Sequence, residues 1–145
     1  MARYDTKRLD QEDYRVLAQF RLRIRQYLHF SEKAARDAGL EPQQYQLLLA
    51  LKGMPAGAVP SVGELAERLV IEHHSAVGLI DRLEARGIVH RQRDPSDGRR
   101  IILTITALGE KTIGELAAYH RGELRKSAPE LIEALSKILG TKAGP

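Results

Sequence analysis

The sequence predicts a mainly α-helical protein that carries one small β-hairpin. Through most of the chain, apolar residues recur at spacings of three and four, which is the pattern of helices with a buried face. Residues 88–105 differ, because strand-forming residues there flank a turn, as in a hairpin. Ser61 and Ser127 each begin a Ser-x-x-Glu sequence, which is typical of a helix N-terminus.

The composition excludes several classes of protein. The 145 residues contain 23 Lys and Arg against 19 Asp and Glu, and the net charge of +4 favours an anionic partner. No cysteine is present, which excludes disulfides, thiol catalysis and thiolate metal sites. No apolar run approaches the roughly 18 residues of a membrane span, and the N-terminus lacks a signal-peptide core. We therefore expect a soluble, cytoplasmic protein that makes no membrane contact.

Two helices are predicted before the first Gly- and Pro-rich loop. In the first, residues 10–38, the apolar side chains cover more than one narrow stripe, so we expect neighbours on two sides. Gly39 suits the position just past its end. Pro42 begins the second helix, which runs to about Lys52. Its capping partner is predicted to be Gln44, and its inward side chains are predicted to be Tyr45, Leu48 and Leu49.

Residues 61–86 predict two short helices joined by a tight turn. Ser61 and Glu64 form a capping box at the start of the third helix, and the turn falls near residues 70–72. The fourth helix spans residues 73–86, with Ala76, Ile80 and Leu83 inward and with His74, Ser75, Gly78 and Arg82 outward. Small polar and cationic side chains near a helix N-terminus are what a helix inserted into a DNA groove requires.

The predicted hairpin follows at once. Strands at 88–93 and 99–105 flank the turn from Asp94 to Gly98. Arginines cluster at this tip, and Asp94 and Asp97 can hold their side chains in place; the arginines are Arg91, Arg93, Arg99 and Arg100. A helix-turn-helix followed by a basic hairpin is a winged helix-turn-helix, and we assign it to residues 41–105.

Two C-terminal helices are predicted after the hairpin. Thr106 can cap a fifth helix that reaches about Lys126, with Ile113, Leu116, His120 and Leu124 on its inner side. The second capping box, at Ser127, is then expected to open a sixth helix that runs through Leu139.

Two motifs carry a resemblance to a known family. The segment from Asp94 to Thr106, DPSDGRRIILTIT, matches the signature D-P-x-D-x-R-x-x-x-L-x-L-T, with Ile105 in place of the last Leu. The preceding segment from Asp81, DRLEARGIV, also fits. Over about residues 10–140 the chain resembles the MarR family of bacterial and archaeal transcriptional regulators.

This resemblance implies a homodimer that binds palindromic operators in double-stranded DNA. The helices at 10–38 and 106–140 would form the dimerisation region, within a single MarR-like chain over 1–145. Members of the family are typically released from DNA by small, often aromatic, anionic effectors, which implies a repressor. By position, Arg99 would enter the minor groove, and Asp97 would steady a neighbouring arginine.

The sequence departs from the family at the recognition helix. Base-reading members often carry Thr, Arg or Lys where this chain has Val77 and Gly78. Gly78 has no side chain to contact a base, so readout would shift to neighbouring residues or to DNA shape. The full set expected to contact DNA is Ser61, His73, His74, Ser75, Gly78, Arg82, Arg91, Arg93, Asp97, Arg99 and Arg100.

Each of these assignments has a simpler alternative. The wing arginines could be neutralised by the acids in the same turn. Arg82 could bind phosphate, or it could pair locally with Asp81 or Glu84. An effector pocket is one interpretation of Tyr27, His29, Phe30 and Tyr45, and ordinary core residues are the simpler one.

We predict no metal site and no cofactor. His73 and His74 point about 100° apart on a helix and cannot readily share one ion. The pairs His29–Glu32 and His120–Glu123 share a helix face, but such pairs are common on exposed helices, and His120 is better explained as a core residue.

The predicted function is that of a homodimeric, sequence-specific DNA-binding repressor. The alternative is a winged-helix protein-interaction module that does not read DNA sequence, which the bare Gly78 suggests. We do not expect an enzyme, because the sequence has no Gly-rich phosphate loop, no G-x-S-x-G elbow and no persuasive carboxylate–histidine cluster.

Overall fold

The computed structural model describes residues 8–140, so the segments 1–7 and 141–145 of the predicted single chain lie outside the described residues. Within this range the chain forms five helices and one two-stranded antiparallel sheet. The elements are α1 (Gln11–Asp37), α2 (Pro42–Lys52), α3 (Val62–Leu69), α4 (His73–Ala85), β1 (Val89–Arg93), β2 (Ile101–Ile105) and α5 (Ala107–Leu139). The predicted class, mainly α with a small β-hairpin, is confirmed.

The chain forms two compact units. Ser31–His120 make up the larger one, which extends past the predicted winged-helix region at both ends. It encloses a core of apolar side chains, among which Leu40, Leu47, Leu48, Leu65, Leu79, Ile80, Leu83, Val89, Leu103 and Ile113 are almost fully buried. The smaller unit contains α1 up to Phe30 and α5 from Arg121 onward. No helix between residues 8 and 140 is long and apolar enough to cross a bilayer.

Helix α2 begins as predicted but turns a different side toward the core. The backbone N–H of Glu41 donates to Gln44 Oε1 at 2.9 Å, which closes the N-terminal turn. Tyr45 and Leu48 are buried, but Leu49 is 42% exposed, so its predicted inward position is wrong. Leu47 and Leu51 are buried instead, because residues three and four apart share a helix face and Leu49 lies off that face.

The predicted sixth helix does not exist as a separate element. Helix α5 is continuous from Ala107 to Leu139 and contains Pro129. Ser127 does not cap a new helix: its hydroxyl points back and donates to the carbonyls of Glu123 and Leu124 at 3.4 and 3.3 Å. A serine within a helix can bond to carbonyls one turn back, so the Ser-x-x-Glu pattern marks a helix start only where the backbone also turns outward.

The predicted cap of α5 is confirmed. Thr106 Oγ1 accepts from the N–H of Gly109 at 3.1 Å. Its hydroxyl also reaches the carbonyls of Gly87 and Ile88, at 2.6 and 3.0 Å. One side chain therefore joins the start of α5 to the segment that leads into the wing.

Candidate nucleic-acid interface

The helix-turn-helix forms where the sequence predicts it. Ser61 Oγ accepts from the N–H of Glu64 at 3.2 Å and so caps α3. The turn then begins at Val70, which has left-handed backbone angles (φ 55°, ψ 46°) and is 90% exposed. Left-handed geometry is uncommon for a β-branched residue, since its side chain crowds the backbone there. Helix α4 starts three residues later, at His73.

Helix α4 separates an apolar face from a polar one. Ala76, Leu79, Ile80 and Leu83 are buried, which confirms the three predicted inward positions and adds Leu79. His74, Ser75 and Arg82 are exposed, as predicted, and Gly78 is half-buried between them. The outward face is therefore available to a partner near the helix N-terminus.

Arg82 lies over the bare surface at Gly78. A Cβ atom at residue 78 would be 3.6 Å from the nearer Arg82 guanidinium nitrogen, Nη1. The other terminal nitrogen, Nη2, donates to Glu41 Oε2 at 3.2 Å, and both side chains are about half exposed. The predicted alternative of a local pair with Asp81 or Glu84 is therefore wrong, because those acids are already taken by Arg91, as described below.

The wing is attached to the body at its second strand. Strands β1 and β2 pair antiparallel, with Arg91 opposite Leu103 and Arg93 opposite Ile101. The N–H of Leu103 donates to the carbonyl of Pro60 at 2.8 Å, and a β-bridge joins Ser61 to Ile102. A two-stranded hairpin alone is marginally stable, so this third segment helps to hold the wing against the start of α3.

Asp94 closes the turn at the wing tip. Its Oδ2 atom accepts from Nε and Nη2 of Arg100 at 2.9 and 2.7 Å. Its Oδ1 atom accepts from the hydroxyl and the N–H of Ser96 at 2.7 and 2.9 Å. The Ser96 hydroxyl, the Ser96 N–H and then Arg100 lower the pKa of the Asp94 carboxyl to about 2. Asp94 is buried and ionised, and it fixes Arg100 inside the turn.

Asp97 does not hold an arginine side chain, which corrects the role that its position implied. Its Oδ1 atom accepts from the backbone N–H of Arg99 at 3.1 Å and so shapes the loop. The acid that binds a guanidinium in this turn is Asp94. The Arg99 side chain is exposed, and its guanidinium makes no hydrogen bond or ion pair among residues 8–140.

Arg91 also differs from its predicted role as a DNA contact. Its guanidinium binds Asp81 Oδ1 at 2.6 Å and Glu84 Oε1 at 3.0 and 3.2 Å. Its backbone N–H donates to Glu84 Oε2 at 2.7 Å. That N–H, and then the guanidinium, lower the pKa of the Glu84 carboxyl. The sequence carried a signal for this cluster, since the two acids are three residues apart and share one face of α4.

These elements enclose a groove with a basic rim. The lining comes from the start of α3, from α4 and from the wing, and includes Ser61, His73, Val77, Arg91, Arg99 and Arg100. Arg93 is exposed, and its guanidinium donates to the carbonyl of Gly98 at 3.4 Å. Exposed guanidinium groups beside a helix N-terminus suit the phosphate backbone of a nucleic acid.

The four residues predicted to form an effector pocket are not brought together. Tyr27 and Phe30 line a cavity of about 220 Å³ within the smaller unit, together with Arg23, Gln26, Glu123, Ser127, Glu130 and Leu131. His29 is exposed and does not line this cavity. Tyr45 is a core residue of the larger unit, where its ring stacks on His120 with centroids 4.5 Å apart.

His120 is a core residue as predicted. Its Nδ1 atom lies 2.8 Å from the carbonyl of Leu116, and its Nε2 atom lies 3.0 Å from the hydroxyl of Ser31. Both ring nitrogens are thus occupied within the fold. Among residues 8–140 no group of three or more His, Asp or Glu side chains is arranged to hold a metal ion.

Comparison with known proteins agrees with this geometry. The model of the MarR family matches residues 38–100, which contain α2, the helix-turn-helix, β1 and the turn of the wing. Over these residues the chain matches the MarR family. Proteins of this family are transcription regulators rather than enzymes, in agreement with the prediction for this chain.

Three proteins illustrate what this chain is similar to. YcgE, an HTH-type transcriptional regulator of Bacillus subtilis, is 33% identical over 87 residues, which are 60% of this chain and 54% of YcgE. AbsC, a MarR-family regulator from Streptomyces coelicolor, has a TM-score of 0.75 at 24% identity and covers 92% of this chain and 93% of its own. BpsR of Bordetella bronchiseptica has a TM-score of 0.61 at 21% identity over 74% of each chain.

These matches cover only part of the curated relative, and their sequence identity to the solved structures is low. The chain spans about half the length of YcgE, one of the curated relatives that it matches. The similarity to AbsC and BpsR shows the fold alone, since both proteins are less than 25% identical to this chain.

Proposed function

We propose that this chain is a sequence-specific DNA-binding transcriptional regulator. The observation that carries the proposal is the Arg99 side chain, which is exposed and unpaired among the described residues at the edge of the groove beside α4. In a winged helix this arrangement suits a recognition helix in the major groove and a wing arginine in the adjacent minor groove. BpsR, which shares the fold, has DNA binding that is regulated by 6-hydroxynicotinic acid.

The exposed side chains fall into two groups, which are the candidates for base contacts and the candidates for phosphate contacts. His73, His74 and Ser75 lie at the N-terminus of α4 and are the candidates for base-edge contacts. Arg82 and Arg93 are the candidates for phosphate contacts. Gly78 contributes a close approach of the backbone rather than a side-chain contact.

A homodimer is supported by the apolar surface of the smaller unit. Ten of its large hydrophobic side chains are each more than a third exposed, which is a large apolar surface for a single chain to leave in water: Leu9, Tyr14, Leu17, Leu22, Leu28, Leu124, Ile132, Leu135, Ile138 and Leu139. We infer that a second copy covers this face. A two-fold dimer would read a palindromic operator with half-sites about 34–36 Å apart, one turn of the duplex.

The cavity at Tyr27 and Phe30 is the candidate effector site. Arg23, at its edge, pairs with Glu130 at 3.0 Å, and its side chain is only 27% exposed. An aromatic carboxylate could replace Glu130 on Arg23 while its ring packs on the two aromatic side chains. An effector that binds the DNA-free form more tightly would release a repressor from its operator.

Binding to DNA tests the proposal directly. The purified protein is titrated with its own upstream intergenic DNA and with random DNA of equal length, over a salt series. We expect a clear preference for the upstream DNA and a steep loss of affinity as salt rises. Equal affinity for both DNAs, together with a stable protein partner, would instead favour the protein-interaction module.

Effector release is a separate measurement. The complex with upstream DNA is titrated with 6-hydroxynicotinate and benzoate as probes, in the wild type and in Arg23→Gln. Release of DNA from the wild type alone supports the cavity as the site. Equal release from both proteins would place the effector elsewhere.

A further inference from the structure

The cluster of Arg91, Asp81 and Glu84 has a function that the motifs did not assign. Arg91 occupies the middle of β1, opposite Leu103, and opposed residues of an antiparallel pair project to the same face of the sheet. Leu103 is 1% exposed, so this face of the wing points into the body. The Arg91 guanidinium accordingly meets two carboxylates of α4, although the side chain remains 33% exposed.

We propose that Arg91 is a positioning residue that sets the orientation of the wing relative to the recognition helix α4. This inference deepens the proposed DNA-binding function and rests on it. The geometry is specific: the guanidinium spans two carboxylates one helical turn apart on α4, and the N–H of the same residue holds one of them. A planar fork with several donors makes such a clamp, whereas a single ammonium does not.

The clamp acts on the two groups that must reach DNA together. His73, His74 and Ser75 begin the helix that Arg91 holds from its far end, and Arg99 lies at the tip of the hairpin that Arg91 holds from its middle. With the clamp in place, the tip and the helix present their side chains at one fixed separation. Without it, the wing remains attached to the body mainly through Leu103 and the segment before α3.

The cluster also neutralises acidic charge at the surface of α4. Asp81 and Glu84 lie on the recognition helix, and unpaired carboxylates there would repel phosphate. Arg91 pairs with both acids at 2.6–3.0 Å. Its charge is therefore balanced by two carboxylates, and we expect Arg91 to add little to the direct contact with DNA.

The chain offers a matched control on the same strand. Arg93 lies two residues away on β1 and projects to the same face, but it is exposed, and within residues 8–140 its guanidinium makes only a 3.4 Å contact with the Gly98 carbonyl. Replacing Arg93 removes the same charge from the wing without opening the clamp. The set of variants is Arg91→Ala, Arg91→Lys, Glu84→Gln and Arg93→Ala.

Two readouts are measured for each variant. The first is affinity for upstream and random DNA over a salt series. We expect Arg91→Ala, Arg91→Lys and Glu84→Gln each to lose about tenfold or more in specific affinity. Specific affinity should fall more than non-specific affinity, and the salt slope should stay nearly unchanged. Arg93→Ala should lower the affinity for both DNAs by the same factor and reduce the salt slope by about one.

The second readout is amide hydrogen exchange without DNA. Opening the clamp should speed amide exchange in residues 89–105 and leave the exchange rates in α2 unchanged. Arg93→Ala should change the exchange rates in neither segment. Because the variants at Arg91 and Glu84 break a shared contact, Arg91→Ala combined with Glu84→Gln should cost less than the sum of the two single changes.

The possible failures are distinguishable. If the wild type shows no preference for upstream DNA, the proposed function fails, and hydrogen exchange still tests the clamp. Unchanged exchange in the wing would overturn the positioning role. Equal losses on both DNAs with a reduced salt slope would show that Arg91 binds phosphate directly. Rescue of specific binding by Arg91→Lys would show that charge, and not the fork, is what matters.

Discussion

The carboxylate of Asp94 holds the guanidinium of Arg100 through one oxygen, with Oδ2 2.9 Å from Nε and 2.7 Å from Nη2. The other oxygen holds both the hydroxyl and the N–H of Ser96. The wing tip is therefore organised around an acid that carries its full charge at neutral pH, and this determines how the wing responds to acid.

Replacing Asp94 should destabilise the protein in a way that depends on pH. The folded-state pKa of about 2 lies below the ordinary value of 3.8. The stabilisation by the ionised carboxylate is therefore complete above the unfolded-state pKa and is lost as the pH falls through about 2. We expect Asp94→Asn to be less stable than the wild type at pH 5–7, and the difference should shrink below about pH 4.

Urea unfolding at a series of pH values measures this difference. Asp97→Asn is the matched control, because Asp97 holds only the exposed N–H of Arg99 and should contribute little at any pH. A difference between wild type and Asp94→Asn that stays constant down to pH 2 would rule out the carboxylate charge as its source.

Replacing Arg99 should weaken DNA binding without affecting the fold. The side chain is exposed and makes no contact among the described residues that the fold requires. Arg99→Ala should cost at least about 1 kcal/mol of binding free energy and lower the salt slope by about one. Arg15→Ala removes the same charge from α1, where the arginine is exposed and pairs only with Glu12, and serves as the control. Unchanged affinity in Arg99→Ala would remove the wing from the mechanism.

Gly109 is expected to be essential for the packing of α5. A Cβ atom there would collide with the carbonyl oxygen of Ile88 and would lie 2.6 Å from Cγ2 of Ile105. Gly109→Ala should therefore destabilise by about 1–3 kcal/mol, which thermal unfolding can measure. Gly114→Ala, on the same helix and in open space, should instead stabilise by roughly 0.5–1 kcal/mol. Similar shifts in both variants would contradict the close approach at Gly109.

Replacing Val70, which has left-handed backbone angles, should stabilise the protein. The side chain is 90% exposed, so little packing is lost when it is removed, and the backbone strain is relieved. Val70→Gly and Val70→Asn should each raise the melting temperature by a few degrees, since a left-handed L-residue costs roughly 1–2 kcal/mol. Asn tolerates this geometry without the extra chain entropy of Gly. The absence of a benefit in both variants would show that Val70 is not strained.

Charges on the apolar face of the smaller unit should disrupt the proposed dimer. Leu17 is 45% exposed and Leu135 is 47% exposed, and a second copy that buries either of them would have to bury a carboxylate in a glutamate variant. Leu17→Glu and Leu135→Glu should sediment as monomers where the wild type sediments as a dimer. Leu49→Glu, equally exposed on the larger unit, should not change the mass.

Local signals made the DNA-binding half of the fold predictable. The cap at Ser61, the turn before His73 and the cap at Thr106 each depend on residues within a few positions of one another. The same kind of signal failed at Ser127, because Ser-x-x-Glu occurs inside a helix as readily as at its start when the backbone does not turn outward.

Partners across the chain were less predictable. The sequence placed acids near every wing arginine, but it did not determine which pairs would meet in space. Arg82 meets Glu41, 41 positions earlier, and Arg91 takes the two acids expected to neutralise Arg82. Such choices depend on the angles at which helices and strands pack, which no short-range pattern encodes.

The internal pairing of Arg91 and Arg100 changes the kinetics expected of a DNA search. The wing carries four arginines, yet two of them are bound to carboxylates inside the fold, which leaves Arg93 and Arg99 facing outward. Attraction to arbitrary sequence scales with the cations that displace counterions from the duplex. For the proposed regulator we therefore expect short residence on non-specific DNA, and rapid movement along it until the side chains at the start of α4 contact their bases.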